Sequence, residues 1–150
     1  LTDITPELLR QRKIRLLMLD FDNTIVPYTT NIPPPVMEQW LRAMTVSSVQ
    51  MCVVSNSKKP RVRVFCQKYG IPCITHAAKP GTKGIRECLS RYNLPKENCA
   101  LAGDQIYTDV LGGLRSGMWT LMVQSTDTYL WYFPLRRLAE LPFRYERREK

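Results

Sequence analysis

Leu16-Leu17-Met18-Leu19-Asp20-Phe21-Asp22-Asn23-Thr24 opens as an unbroken apolar run and ends in two aspartates that flank a phenylalanine. A short apolar run bounded by polar residues fits a strand buried on both faces. In open α/β sheets, ligand sites lie just beyond the carboxyl ends of such strands. An isolated Asp-x-Asp is more often a turn, or a helix N-cap made by Asp22 or Asn23. The rest of the chain decides between these readings.

Working outward, Thr5-Pro6-Glu7 reads as a helix start, with Thr5 as the cap and Pro6 at the first helical position. Beyond Asp22, Ile25 to Pro35 is a proline-rich loop, followed by a helix with Val36, Met37, Trp40, Leu41 and Met44 at helical spacing. Val49 to Val54 is a second buried strand, and Pro60 to Tyr69 a helix closed by Gly70. Ile71 to Thr75 is a third strand, and a helix through Ile85, Cys88, Leu89 and Tyr92 stops before Pro95. Cys99 to Ala102 is a fourth strand, a helix carries Asp109 to Leu114, and Trp119 to Val123 is a fifth strand. Strands alternating with helices imply right-handed crossovers, hence a parallel, Rossmann-like three-layer α/β/α sheet of about five strands.

The 150 residues are 44% hydrophobic, which is the size of one ordinary domain. A chain of this length buries roughly two-thirds of the surface its unfolded form exposes. The expectation is a single domain over 1–150, with a core of about 14–123 and an aromatic, basic segment over 124–150. A formal charge of +9 favours anionic partners: phosphorylated metabolites, nucleic acid or an acidic lipid surface. The five cysteines are odd in number, lack Cys-x-x-Cys spacing and mostly sit in apolar runs. They read as reduced core residues of a cytoplasmic protein rather than a disulfide or zinc framework. No stretch approaches the ~20 apolar residues of a membrane span. The N-terminus lacks a signal-peptide pattern. The chain begins without Met, so a few upstream residues are expected.

Four successive strands each end in a polar group: Asp20/Asp22, Ser55, Lys79 and Asp104. In a parallel sheet all four point to one edge. Asp20-Phe21-Asp22-Asn23-Thr24, Ser55, Lys79-Pro80 and Gly103-Asp104-x-x-x-x-Asp109 resemble, in order, the four motifs of the haloacid dehalogenase-like (HAD) phosphohydrolases. The resemblance covers about Leu16 to Val123. Within that superfamily, the wording Leu-Asp-Phe-Asp-Asn-Thr-Ile-Val and the Gly-Asp-Gln-x-x-Thr-Asp motif resemble the bacterial YqeG-like branch (subfamily IIIA). That branch is related to the mitochondrial phosphatidylglycerophosphatases.

The residues suit the chemistry that the resemblance implies. Phosphoryl transfer needs an in-line nucleophile, a proton donor for the leaving oxygen, and cations or dipoles on the equatorial oxygens. The resemblance makes Asp20 the nucleophile of an aspartyl phosphate and Asp22 the general acid and base. The second acid argues against dehalogenation, in which no alkoxide leaves. Mg²⁺ suits oxygen ligands beside a phosphate dianion, and its expected ligands are the Asp20 carboxylate, the Asp22 backbone carbonyl and the Asp104 carboxylate. Ser55 and the Asn56 N–H would bind phosphate, and Lys79 would neutralise both phosphate and Asp20. Thr24 and Asp109 are expected one layer behind, Thr24 holding the loop and Asp109 orienting water or Lys79. Alone, Ser55 would be a helix cap, Lys79 a solvated charge and Asp104 a turn former. His76, the single histidine, reads mainly as a loop residue that lies near Lys79 in sequence.

Family members commonly carry a cap domain after the first motif or between the second and third. Thr24 to Val36 and Ser55 to Lys79 leave room only for a loop and one βα unit, so no cap and an open site are expected. Tyr129-Leu130-Trp131-Tyr132-Phe133, with Arg136, Arg137, Arg144, Arg147 and Arg148, suits peripheral contact with an anionic membrane, or packing over one end of the sheet. The expected activity is Mg²⁺-dependent phosphomonoester hydrolysis, with phosphatidylglycerophosphate as the substrate that the resemblance implies. The alternatives are a nucleic-acid end phosphatase, for which no nucleic-acid-binding motif is present, and a non-catalytic phosphate-binding scaffold.

Overall fold

The computed structural model describes residues 1–126. The aromatic and basic residues from Tyr129 to Arg148 lie outside the described residues.

The helix α1 (Pro6–Gln11) starts on the Thr5 hydroxyl, which accepts from the Leu8 N–H at 3.1 Å. It delivers the chain to β1 (Leu16–Leu19), whose four residues have no solvent exposure. Full burial of each such side chain is worth ~1.5–3 kcal/mol. The proline-rich loop then leads to α2 (Pro35–Thr45), followed by β2 (Gln50–Val54) and α3 (Arg61–Tyr69). Gly70 closes α3 in the left-handed region at φ 65°, and the Ile71 N–H reaches back to the Cys66 carbonyl at 2.9 Å. Because Ile71 serves that closure, β3 is only Cys73–Ile74, shorter than Ile71 to Thr75. The chain continues through α4 (Lys83–Tyr92), β4 (Cys99–Gly103), α5 (Leu111–Arg115) and β5 (Trp119–Met122).

All four strand pairings are parallel, in the order β3-β2-β1-β4-β5. β1 is central, so its carboxyl end opens in the middle of the sheet edge. Alternate strand residues face opposite layers. Leu17, Leu19, Met51, Val53, Ala100 and Ala102 pack with Leu9, Leu41 and Phe65 of α1, α2 and α3. Leu16, Met18, Cys52, Val54 and Leu101 pack with Ile85 and Cys88 of α4. This is the three-layer α/β/α arrangement expected from the sequence.

All five cysteines are free; four are buried and Cys73 is half-buried. The two places where a cap could be inserted hold only the 25–34 loop and the α3–β3 unit. No helix among the described residues is long and apolar enough to cross a membrane.

Candidate active site

The β1 ladder extends one residue past the strand, where the Asp20 N–H donates to Ala102 O at 2.9 Å. The chain then folds back tightly. Ile25 N–H donates to Phe21 O at 3.0 Å and Asn23 N–H to Val26 O at 2.7 Å, with Asn23 in the left-handed region at φ 62°. This turn leaves Asp20 buried and lifts Asp22 to the rim, where its side chain is 20% exposed.

Lys79 arrives from the loop after β3. Its Nζ donates to Asp20 Oδ1 at 2.7 Å and to Asp109 Oδ1 at 2.6 Å, and its side chain is 1% exposed. The loop is fastened to the neighbouring strand end by Asn56, whose amide donates to Lys79 O at 2.9 Å and accepts from Lys79 N–H at 2.7 Å. Ser55 is buried at the end of β2, and its oxygen accepts from the Ser57 N–H at 3.0 Å. Its own hydroxyl proton remains available for donation. Thr24 Oγ1 donates to Asp20 Oδ2 at a long 3.4 Å.

Asp104 and Asp109 come from the end of β4. Instead of a regular helix over Asp109 to Leu114, Ile106–Val110 forms one wide π-helical turn before α5. Such turns often occur at functional sites. Gln105 N–H donates to Asp109 Oδ2 at 3.1 Å while Asp109 N–H donates to Gln105 O at 2.9 Å, folding the Asp109 carboxylate back over Gly103. A Cβ on residue 103 would stand 2.3 Å from that carboxylate, so the glycine is a steric requirement of the site.

One carboxylate oxygen each from Asp20, Asp104 and Asp109 lies within 4.8 Å of the others, and all three residues are buried. Among the described residues, this cluster sets three carboxylates around the Lys79 ammonium, and an all-oxygen donor set of this kind fits a hard divalent cation. Asp22 does not join this carboxylate cluster. Asp109 does, while also holding Lys79. Burial pushes the Asp109 carboxyl up to about 6, against the opposing pull of the Lys79 ammonium. Burial also dominates at Asp22 and raises its carboxyl above the usual range, opposed mainly by Arg61. At Lys79 the desolvating effect of burial is the largest single influence, but the two carboxylates outweigh it and the net shift is upward.

Arg61 is the residue that reading the sequence missed. It opens α3, reaches Asp22 Oδ1 at 3.2 Å, and donates to the carbonyls of Tyr28 at 2.5 Å, Thr30 at 2.8 Å and Pro27 at 3.2 Å. One guanidinium therefore ties the loop after the two aspartates to the helix after Ser55. The signal was present as the run Lys58-Lys59-Pro60-Arg61-Val62-Arg63 immediately after the Ser55 strand end. His76 is exposed, and its contact is to Thr75 Oγ1 at 3.2 Å, as fits a loop residue.

Against known proteins, the HAD-hydrolase-like family model matches residues 76–129. The chain is 36% identical over 133 residues to the Bacillus subtilis protein named probable phosphatase YqeG, covering 87% of this chain and 77% of that one. The chain belongs to the YqeG-like branch of the HAD-like phosphatases. It is also 25% identical over 146 residues to the Arabidopsis thaliana phosphatidylglycerophosphate phosphatase 1, chloroplastic/mitochondrial, of which it spans 39%. Among solved structures, a HAD-superfamily hydrolase of subfamily IA from Geobacter sulfurreducens superposes with a TM-score of 0.53. That match has 12% identity and covers 73% of this chain and 87% of that one, so it speaks for the fold. The YqeG-like relationship and the strand-end constellation agree on the enzyme class, a phosphoric monoester hydrolase.

Proposed function

We propose that this phosphatase is Mg²⁺-dependent, works through an aspartyl phosphate on Asp20, and removes the terminal phosphate of phosphatidylglycerophosphate. The observation that carries the chemistry is the buried group of Asp20, Lys79, Asp104 and Asp109 at the carboxyl edge of the central strands. Lys79 holds Asp20 Oδ1 at 2.7 Å, while Oδ2 has only the long 3.4 Å contact with the Thr24 hydroxyl and is the oxygen assigned to attack. In the first step an Asp20 oxygen bonds to phosphorus as the ester P–O bond breaks, and Asp22 gives its proton to the departing alkoxide. In the second, Asp22 takes a proton from water as the water oxygen bonds to phosphorus. The Asp20–phosphorus bond breaks, and Asp20 and phosphate are released. Ser55 and the Asn56 N–H hold the phosphate oxygens, and Lys79 spreads positive charge over Asp20 and phosphate. Asp20 and Asp104, with the Asp22 backbone carbonyl, would hold Mg²⁺, and Asp109 would set Lys79 and bound water from behind. The ion would supply Lewis-acid charge to phosphate oxygens and shield them from Asp20.

The substrate reading rests on the similarity to the Arabidopsis phosphatase and on the two cap-insertion points holding only the 25–34 loop and the α3–β3 unit, supported by the +9 charge. With no cap to close over a small molecule, a lipid surface completes the enclosure. The test compares phosphatidylglycerophosphate in anionic vesicles with its soluble, deacylated headgroup. The proposal expects faster turnover of the lipid, lost on chelation and restored by Mg²⁺. Turnover of phosphorylated nucleic-acid ends, with no lipid hydrolysis, would replace the substrate. Metal-independent hydrolysis would remove Asp104 from its role.

A further inference from the structure

Asp22 marks the side of the site from which the leaving group departs, because the proton it gives goes to the leaving oxygen. Beyond Asp22 on that side lie Arg61, Tyr28 and Lys59. The two terminal nitrogens of Arg61 are engaged by three loop carbonyls and by Asp22, and its Nε is buried. Lys59 is not engaged in this way. Its Nζ sits 4.5 Å over the Tyr28 ring and donates to Tyr28 Oη at 3.0 Å, which uses one of three ammonium donors. Tyr28 is itself fixed, its N–H donating to Asn23 Oδ1 at 2.9 Å and its carbonyl held by Arg61. Lys59 is thus an exposed but oriented cation.

Among the described residues Lys59 forms no salt bridge, and the carboxylate it acts on is Asp22 at the rim. Between Ile25 and Ala78 the chain contains a single acid, Glu38, which pairs with Arg42 at 3.0 Å. The influence of Lys59 on the Asp22 carboxyl agrees with this placement at the rim. The scissile phosphate is served by Ser55 and Lys79, so Lys59 is available for a different anion.

We propose that Lys59, braced on Tyr28, is a second anion site that receives a phosphodiester carried by the leaving group of the substrate. The inference rests on the proposed lipid-headgroup reading and adds the residue that reads that headgroup. A glycerol phosphate has no charge to place there. A glycerophospho-glycerol phosphate has one, on the far side of the leaving oxygen.

The test uses two water-soluble probes: glycerol 3-phosphate, with the monoester alone, and deacylated phosphatidylglycerophosphate, with the monoester and the diester. The readout is the ratio of their kcat/KM values. The wild-type protein is expected to favour the diester-bearing probe by about fivefold, the scale of one solvent-exposed charge contact, mainly through KM. Lys59→Gln should bring the ratio to about one and Lys59→Arg should keep it, with unchanged thermal midpoints. Raising ionic strength should reduce the wild-type ratio, because exposed charges are screened. A ratio unaltered by Lys59→Gln overturns the site while leaving the phosphatase reading intact. A Lys59-dependent preference for a 5′-phosphorylated dinucleotide, without one for the glycerol probe, overturns the lipid source of the diester. No hydrolysis of either probe, of the lipid or of p-nitrophenyl phosphate overturns both readings together.

Discussion

Lys79 is held between two buried carboxylates, so deleting its charge tests directly what keeps the site assembled. In Lys79→Met the stem is replaced by an apolar chain of similar length, and Asp20 and Asp109 lose contacts of 2.7 and 2.6 Å. Both acids are then stranded in a site where Asp109 is 1% exposed. Removing one partner of a buried ion pair costs about 3–5 kcal/mol. At roughly 3 °C per kcal/mol for a chain of this size, the thermal midpoint should fall by ~10 °C. The assay is urea and thermal unfolding followed by circular dichroism, in chelator-containing buffer so that no cation substitutes for the lysine. Adding Asp109→Asn should recover part of the loss, because one stranded charge is gone while the amide oxygen still accepts from Gln105 N–H. The coupling in this cycle should exceed about 1 kcal/mol. A single-variant loss below about 1 kcal/mol, or a double variant no more stable than Lys79→Met, would mean that Lys79 does not hold these carboxylates together.

Gly103→Ala should displace the Asp109 carboxylate, which its methyl would meet at 2.3 Å, and cost about 1–3 kcal/mol in urea unfolding, with a matching loss of turnover. Trp40→Phe removes the indole N–H donated to Ile4 O at 2.7 Å and leaves that buried carbonyl unpaired, a penalty of about 1–3 kcal/mol measurable in the same way. Asp104→Ala should raise the Mg²⁺ concentration giving half-maximal turnover by tenfold or more, by metal titration after chelation, since losing one anionic ligand contact is worth about 1.4 kcal/mol or more. An unchanged requirement would place the metal elsewhere.

Asp20, Ser55, Lys79 and Asp104 were legible because each follows an apolar run, and a parallel sheet carries every such run to the same edge. The order of the strands was not written in those runs; it follows from β1 pairing with both β2 and β4. The wide turn at Ile106–Val110 was illegible because residues 105 to 114 carry an ordinary helical pattern. The turn is fixed instead by the reciprocal bonds between Gln105 and Asp109. Arg61 was missed because a basic residue opening a helix usually lies in solvent. Only the fold brings the carbonyls of Pro27, Tyr28 and Thr30 to it. The short β3 has a similar origin, since closure of α3 claims Ile71.

Phosphorylation of Asp20 is measured directly by mass spectrometry of acid-quenched protein after brief incubation with a reactive phosphomonoester. Asp22→Asn is the protein to use with a phosphomonoester whose leaving group departs without a proton, because Asp22 serves both steps and only the water step then stays slowed, letting the intermediate accumulate. One hydroxylamine-labile phosphoryl group is expected on the peptide containing Asp20, absent when Asp20→Asn is added. Turnover with no phosphorylated protein, or a phosphoryl group that persists in the Asp20→Asn background, would contradict phosphorylation of Asp20.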